Sequence, residues 1–186
     1  MRRMTLLVLG ILLVLGSATT FTDDGGSRRI RVRMSGYQET PLALSTTGNG
    51  RFNARINRDE TEIQWELSFG DTEGTVTQSH IHFGARAQTG GISIFLCSNL
   101  GNGPVGTQAC PAAAPADAPV TGVATAANVI GPAGQGIAAG EFAEVIAAIR
   151  AGAAYVNVHS TKYPGGEIRA QFPASDDDRD RDHDHH

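Results

Sequence analysis

Apolar and polar residues alternate along most of the chain between residues 28 and 172. A period of two places the apolar side chains on one face of a β-strand and the polar side chains on the other. This alternation predicts strands at 28–35, 50–57, 61–69, 75–83, 92–97, 154–160 and 167–172, with a weaker strand at 121–129. Helical spacing of apolar residues occurs at 141–152, which predicts one short helix there.

Seven or eight short strands, one short helix and frequent glycines predict an all-β fold, an antiparallel β-sandwich. About 150 residues are available for it, which suits one domain with one core. We expect the domain at 30–173, after a linker at 19–29. The glycine-, alanine- and proline-rich segment 98–137 is predicted to be a long loop, the kind of region that often carries function.

The first residues are typical of an exported protein. Arg2 and Arg3 precede an uncharged apolar run at 5–16, and the small residues that follow suit cleavage near Ala18. This pattern predicts a signal peptide at 1–18 and a secreted, periplasmic or cell-envelope location. The apolar run is shorter than a membrane span requires, so no span is expected after cleavage. An uncleaved anchor is the alternative.

The segment 174–186, ASDDDRDRDHDHH, has no apolar residue after Ala174 and is predicted to be a disordered tail. Its six aspartates and two arginines match the formal net charge of −4 of the whole chain, so the acidity lies in the tail. The composition shows no basic stripe, and nucleic-acid binding is not expected. The tail could bind divalent metal weakly, or it is simply a solvated end.

The chain has two cysteines, Cys97 and Cys110. An even pair in an exported chain predicts a disulfide. Two thiolate metal ligands are the alternative, but the spacing matches no known metal-binding motif.

The stretch SHIHFGA, at 79–85, contains the candidate chemistry. His80 and His82 are two residues apart on a predicted strand, so they point to the same face with Cβ atoms about 6–7 Å apart. His159 lies on a second strand of matching pattern, and three imidazoles could hold copper or zinc with an open position. The alternative is structural: the histidines are ordinary polar residues, or they bond neighbouring carbonyls and stiffen the sheet.

Other polar residues could support this site. Asn157 and Tyr155 share the strand face of His159 and could orient the ligands. Glu167 and Arg169 share one face of the last strand and are expected to pair with each other or with a neighbouring strand.

Three stretches resemble the CHRD domain, the module repeated in chordin and found alone in many secreted bacterial proteins. They are SGYQETPLALSTTGNG at 35–50, SHIHFGA at 79–85 and AIRAGAAYVNVHSTKYPGGEIRAQF at 148–172. The resemblance covers residues 30–172 and implies an immunoglobulin-like β-sandwich. Because chordin is an extracellular protein that binds growth factors, it also suggests an interaction or adhesion module without metal, with 98–137 as the contact surface.

The residues His80, His82, Phe83 and Gly84 are also similar to the copper strand of copper–zinc superoxide dismutase, another β-sandwich. That enzyme uses four histidines on copper and further ligands on zinc, whereas this domain offers three histidines, so a redox dismutase is not expected. No nucleophile–base pattern or cofactor fingerprint indicates an enzyme. The sequence favours an exported protein that binds a metal ion, copper before zinc, without turnover. The expected partner is that ion or an extracytoplasmic protein.

Overall fold

The computed structural model describes residues 28–175. Within that range it contains the strands β1 (Arg28–Ser35), β2 (Asn49–Ile56), β3 (Ile63–Gly70), β4 (Val76–Phe83), β5 (Gly91–Ser98), β6 (Val120–Ala124), β7 (Ala154–Ser160) and β8 (Ile168–Gln171), with the helix α1 (Phe142–Arg150) between β6 and β7. The predicted signal peptide at 1–18, and nearly all of the predicted linker and tail, lie outside the described residues.

All strand pairs are antiparallel, in the order β5-β4-β7-β8-β1-β2-β3-β6. β1 pairs with β2 along its whole length, but it meets β8 at one position, Ser35 opposite Arg169. Two four-stranded halves are therefore joined at a single corner, and they face each other across the core. This arrangement confirms the predicted all-β, sandwich-like fold.

The alternation seen in the sequence explains the core. Trp65, Leu67 and Phe69 of β3 point inward and are at most 4% exposed. Phe52 of β2 stacks on Phe172, which follows β8, with ring centroids 5.4 Å apart. This contact joins the two halves of the sandwich, and burying each ring contributes about 1.5–3 kcal/mol.

The helix α1 covers part of the core with one apolar face. Predicted at 141–152, it forms at 142–150, and Val145, Ile146 and Ile149 on its inner face are buried. Gly152 adopts a φ of +68° just after the helix, a conformation that glycine tolerates well. No helix within residues 28–175 is long and apolar enough to cross a bilayer.

The long segment after β5 is tied to the sandwich. Its predicted weak strand forms as β6, which pairs with β3. The Asn99 side-chain amide donates to the carbonyls of Val76 and Cys110. The predicted disulfide between Cys97 and Cys110 is confirmed. These contacts fix the first part of the segment against the end of β5.

Replacing Cys97 and Cys110 with alanine should lower the free energy of unfolding by about 3 kcal/mol. The physical reason is the loop that the disulfide closes, a sequence separation of 13 residues, which restricts the unfolded chain. Urea unfolding followed by circular dichroism measures the loss. The reduced wild-type protein is the control and should match the double variant. A loss below about 1 kcal/mol would contradict the prediction, since it would fall well short of the chain-entropy value.

Candidate metal centre

Two neighbouring strands carry the predicted histidines. His80 and His82 lie on β4 and His159 lies on β7, and these strands pair with each other. Ile81 and Val158 point into the core, so the histidines that alternate with them point to the opposite face of the sheet. One ring nitrogen from each histidine lies within 4.8 Å of the other two. The structure thus brings all three predicted residues together.

The histidines are buried although they lie on the outer face of the sheet. Their exposed fractions are 0% for His80 and 6% for both His82 and His159. Chain segments that follow β4 and β7 cover them: the Gly90 carbonyl lies 3.0 Å from Nδ1 of His82, and the Pro164 carbonyl 2.8 Å from Nδ1 of His159. They are therefore not ordinary solvent-facing residues. Their bonds to carbonyls are compatible with a structural role and with a metal site.

The carbonyl bonds fix which ring nitrogen carries a proton. A carbonyl oxygen can only accept, so His82 and His159 each donate from Nδ1, and Nε2 of each neutral ring carries a lone pair. Both Nε2 atoms lie 3.0 Å from Oδ1 of Asn157. Nε2 of His159 is also 3.2 Å from Nδ1 of His80. The nitrogens of the three rings therefore converge around one side chain.

Asn157 lies at the centre of this convergence. It is opposite His80 in the strand register and is 2% exposed. An amide oxygen that faces two nitrogen lone pairs is repelled by both, so the contact becomes favourable when the amide NH₂ turns to donate or when a cation lies among the nitrogens. His80 differs from the other two histidines because its Nδ1 faces the lone pair of His159 Nε2 and is therefore the protonated nitrogen, whereas its Nε2 is buried without a hydrogen-bond partner.

The three imidazoles are neutral at neutral pH. Burial lowers the pKa of His80 to about 2, and the neighbouring His159 and His82 act in the same direction. Burial lowers the pKa of His82 to about 4, against the opposing effect of its bond to Gly90. Burial also lowers the pKa of His159, opposed by the Pro164 carbonyl. Neutral imidazole is the form that binds metal ions, so the site needs no deprotonation at pH 7.

Tyr155 and Arg169 hold the ring of His82 in place. The Tyr155 ring is parallel to His82 within 2°, at a centroid distance of 4.7 Å. The guanidinium carbon of Arg169 lies 3.5 Å from the centroid of the same Tyr155 ring. The Tyr155 hydroxyl accepts a hydrogen bond from the N–H of Gly90, whose carbonyl bonds His82. Tyr155 thus contacts both the ring of His82 and the segment that covers it.

Arg169 and Glu167 do not pair with each other, whereas Arg169 does contact the neighbouring strand, through Tyr155 of β7. Glu167 instead accepts hydrogen bonds from the Thr46 hydroxyl and the Glu73 N–H. Arg169, 1% exposed, donates to the groups that surround it: the Thr40 hydroxyl, the carbonyls of Ala85 and Gln88, and the Gln171 side chain. Arg169 therefore ties the loops over the sheet to β8.

Sequence reasoning missed Glu39 as a member of this buried polar layer. Its side chain is 6% exposed, and burial raises its pKa to about 7 while Arg169 acts in the opposite direction. Glu39 lies in a polar turn just before Pro41, a context that normally indicates an exposed loop. Its burial depends on loops that pack over the sheet, which no local pattern encodes.

Comparison with known families matches the CHRD domain to residues 30–172 of the chain. No curated protein and no solved structure matches it. The matched range begins within β1 and ends just after β8, so it includes the histidine cluster and the segments that cover it.

Proposed function

The chain belongs to the CHRD domain family, and from this and from the histidine geometry we propose that it is an exported module that binds one copper or zinc ion. The ligands are His80, His82 and His159. The observation that carries the proposal is the convergence of their three ring nitrogens within 4.8 Å. Copper is favoured because a nitrogen-donor site binds Cu(II) more tightly than Zn(II).

The segments that cover the histidines supply the backbone carbonyls that a metal site usually has. A metal-bound histidine usually donates its other ring N–H to a carbonyl or carboxylate, which fixes the ring and raises its basicity. Gly90 and Pro164 supply such carbonyls to His82 and His159. Nitrogens that share one ion at bond lengths of about 2 Å lie roughly 3–4 Å apart, so small side-chain rotations would close the site.

Asn157 and Tyr155 are proposed to support the ligands. Asn157 touches two of the three ligand rings and would turn aside, or offer its oxygen, when an ion enters. Tyr155 fixes the plane of the His82 ring through the parallel stack. Since the ligands are at most 6% exposed, substrate has little access, and this favours ion binding over turnover.

An exported location is part of the proposal. The basic and apolar start of the sequence, the Cys97–Cys110 disulfide and the family all support it. Disulfides persist in the oxidising compartments where a chain with such a start would be found.

The protein should bind one Cu(II) or Zn(II) ion per chain, and replacing both His80 and His159 with alanine should weaken binding at least 100-fold. Loss of an orienting group alone costs 10- to 100-fold, and this change removes two ligands. The measurement is calorimetric titration, with EPR for Cu(II). The protein used should carry His183→Ala, His185→Ala and His186→Ala, because histidines in the tail would also bind copper.

A matched control is Tyr155→Phe, which keeps the ring stack on His82 and removes the hydroxyl. Its affinity should stay within about tenfold of the parent, the low end of the loss expected for an orienting group, because the ring that stacks on His82 is kept. The proposal is wrong if the double histidine variant gives the same affinity and the same EPR signal as the parent.

One observation favours the alternative function, an extracellular interaction module. Val105 is fully exposed in a turn of the long segment after β5, and Val123 of β6 is 52% exposed. Both line a groove of about 340 Å³ between β5 and β6, together with Trp65 and Phe95. Exposed apolar side chains around a groove are typical of contact surfaces. This function stays a prediction. The groove that contains Val105 and Val123 does not include the proposed metal ligands.

A further inference from the structure

The candidate ligands are all neutral side chains. Among residues 28–175, the group whose ligand atoms could share one ion consists of His80, His82 and His159, with no carboxylate and no thiolate among them. A neutral imidazole brings no charge to the ion that it binds. An ion held by these rings therefore keeps its whole positive charge, which is smaller for Cu(I) than for Cu(II).

The site is also shielded from water. His80 is 0% exposed, and His82 and His159 are each 6% exposed. Moving an ion from water into such surroundings costs free energy, and this cost grows with the square of the charge, so it is roughly fourfold larger for a divalent ion than for a monovalent one. A carboxylate ligand would offset the larger cost, and the described residues place none in the group. Burial and neutral ligands together favour the ion of lower charge.

A positive group is packed behind the site. The guanidinium carbon of Arg169 lies 3.5 Å from the centroid of the Tyr155 ring, and that ring is stacked on His82 at 4.7 Å. Burial is the main cause of the low pKa of His82, and the charge of Arg169 adds to it. Burial also raises the pKa of Glu39 to about 7, so this acid, which interacts with Arg169, is only partly ionised at neutral pH. Additional positive charge among the histidines is therefore disfavoured further.

The small set of donors favours the same oxidation state. Nδ1 of His80 lies 3.2 Å from Nε2 of His159, and the Nε2 atoms of His82 and His159 both lie 3.0 Å from Oδ1 of Asn157. When an ion binds at this point, the proton on Nδ1 of His80 moves to Nε2 and the ring stays neutral. Cu(II) prefers a tetragonal set with more donors, whereas Cu(I) is satisfied with fewer. Water has little access to complete the larger set, because the histidines are buried.

We propose that the site binds Cu(I) in preference to Cu(II), so that the exported module holds reduced copper. The inference rests on the proposed function, because it concerns the same histidines. Cu(II) still binds to the nitrogen ligands, but less tightly. Bound Cu(II) then takes up a single electron from a mild reductant such as ascorbate, which loses that electron together with a proton to the buffer, and the bonds from copper to the histidines are kept.

The test measures the affinity for both oxidation states on the protein with His183→Ala, His185→Ala and His186→Ala. Competition with bicinchoninate, in ascorbate and without oxygen, gives the affinity for Cu(I), and competition with glycine, without reductant, gives the affinity for Cu(II). Cu(I) should bind at least about 100-fold more tightly. At about 59 mV for each tenfold change, this ratio places the potential of bound copper about 120 mV above that of the aqueous ion. The Cu(II) EPR signal at controlled potentials measures that potential.

The variant Asn157→Asp tests the electrostatic reason. Its carboxylate would lie where the amide oxygen contacts His82 and His159, and its negative charge should lower the ratio of Cu(I) to Cu(II) affinity by at least about tenfold. Asn157→Ala is the matched control, because it removes the amide without adding charge and should change the ratio by less than about threefold. If circular dichroism shows that Asn157→Asp does not fold, Gln78→Glu takes its place, since Gln78 is directly opposite His159 and only partly buried. The ratio should then fall severalfold.

The results separate this inference from the proposed function. If Cu(II) binds as tightly as Cu(I), or if the added carboxylate leaves the ratio unchanged, the preference for Cu(I) is wrong although the metal site stands. If neither ion binds more tightly than to the variant His80→Ala, His159→Ala, the proposed function fails and this inference fails with it.

Discussion

Replacing Arg169 with alanine should lower the free energy of unfolding by about 3–5 kcal/mol, the cost of breaking a buried charged network. The guanidinium is 1% exposed and donates to Thr40, Gln171 and the loop carbonyls of Ala85 and Gln88. Alanine would leave these acceptors without their donor and open a cavity beside them. Urea unfolding of the metal-free protein measures the loss.

The same change should reduce metal affinity, because Arg169 packs on the Tyr155 ring and that ring fixes His82. Arg86→Ala is the matched control: it lies in the same loop region but is exposed, and its effect should be within about 0.5 kcal/mol. Arg169→Lys should be intermediate, since it keeps the charge but loses the planar fork of donors. A loss below about 1 kcal/mol for Arg169→Ala would show that the loops hold without it.

The strands were predictable because each one buries a single face. In β3, inward Trp65 and Leu67 alternate with outward Gln64 and Glu66, and this period of two is visible without any tertiary information. The order of the strands in the sheet could not be predicted in this way. β4 pairs with β7, and the residues brought together, such as His80 and Asn157, are far apart in the sequence. Pairing over such distances depends on the packing of the whole core.

The candidate site was predictable in its residues but not in its environment. His80 and His82 share a face by strand geometry, and His159 was expected from a matching pattern. Arg169 and Arg31 show that the sequence could not distinguish a buried polar residue from an exposed one. Both are arginines at outward strand positions between apolar neighbours, yet Arg31 is exposed and Arg169 is buried. The difference comes from the loops that fold over β8 and leave β1 open.

Acidification should destabilise the metal-free protein, and Glu39→Gln should make that loss larger. In the unfolded chain His80 and His82 have a pKa near 6.5, and in the fold these values fall to about 2 and about 4. The unfolded state therefore binds more protons below pH 6.5, so the stability present above that pH is lost as the pH falls. By pH 4.5 the loss is about 2–3 kcal/mol for each ring.

Glu39 acts with the opposite sign. Its pKa rises from 4.5 to about 7 in the fold, so its contribution is present below pH 4.5 and is lost as the pH rises to 7. When the pH falls from 7 to 4.5, Glu39 adds about 3 kcal/mol to the free energy of unfolding. This gain offsets the loss that one of the two histidines causes. Removing the offset with Glu39→Gln should increase the net loss over this interval by about 3 kcal/mol.

Urea unfolding at several pH values, in EDTA and with the tail histidines replaced, measures this slope. Glu144→Gln, an exposed site on α1, is the matched control and should leave the slope unchanged. The variant should also be more stable than the parent at pH 7, because a neutral amide replaces a carboxyl that is costly to ionise there. If stability depends on pH equally in Glu39→Gln and the parent, then Glu39 has the same pKa in the folded and unfolded states. The buried polar layer would then be open to water at this position.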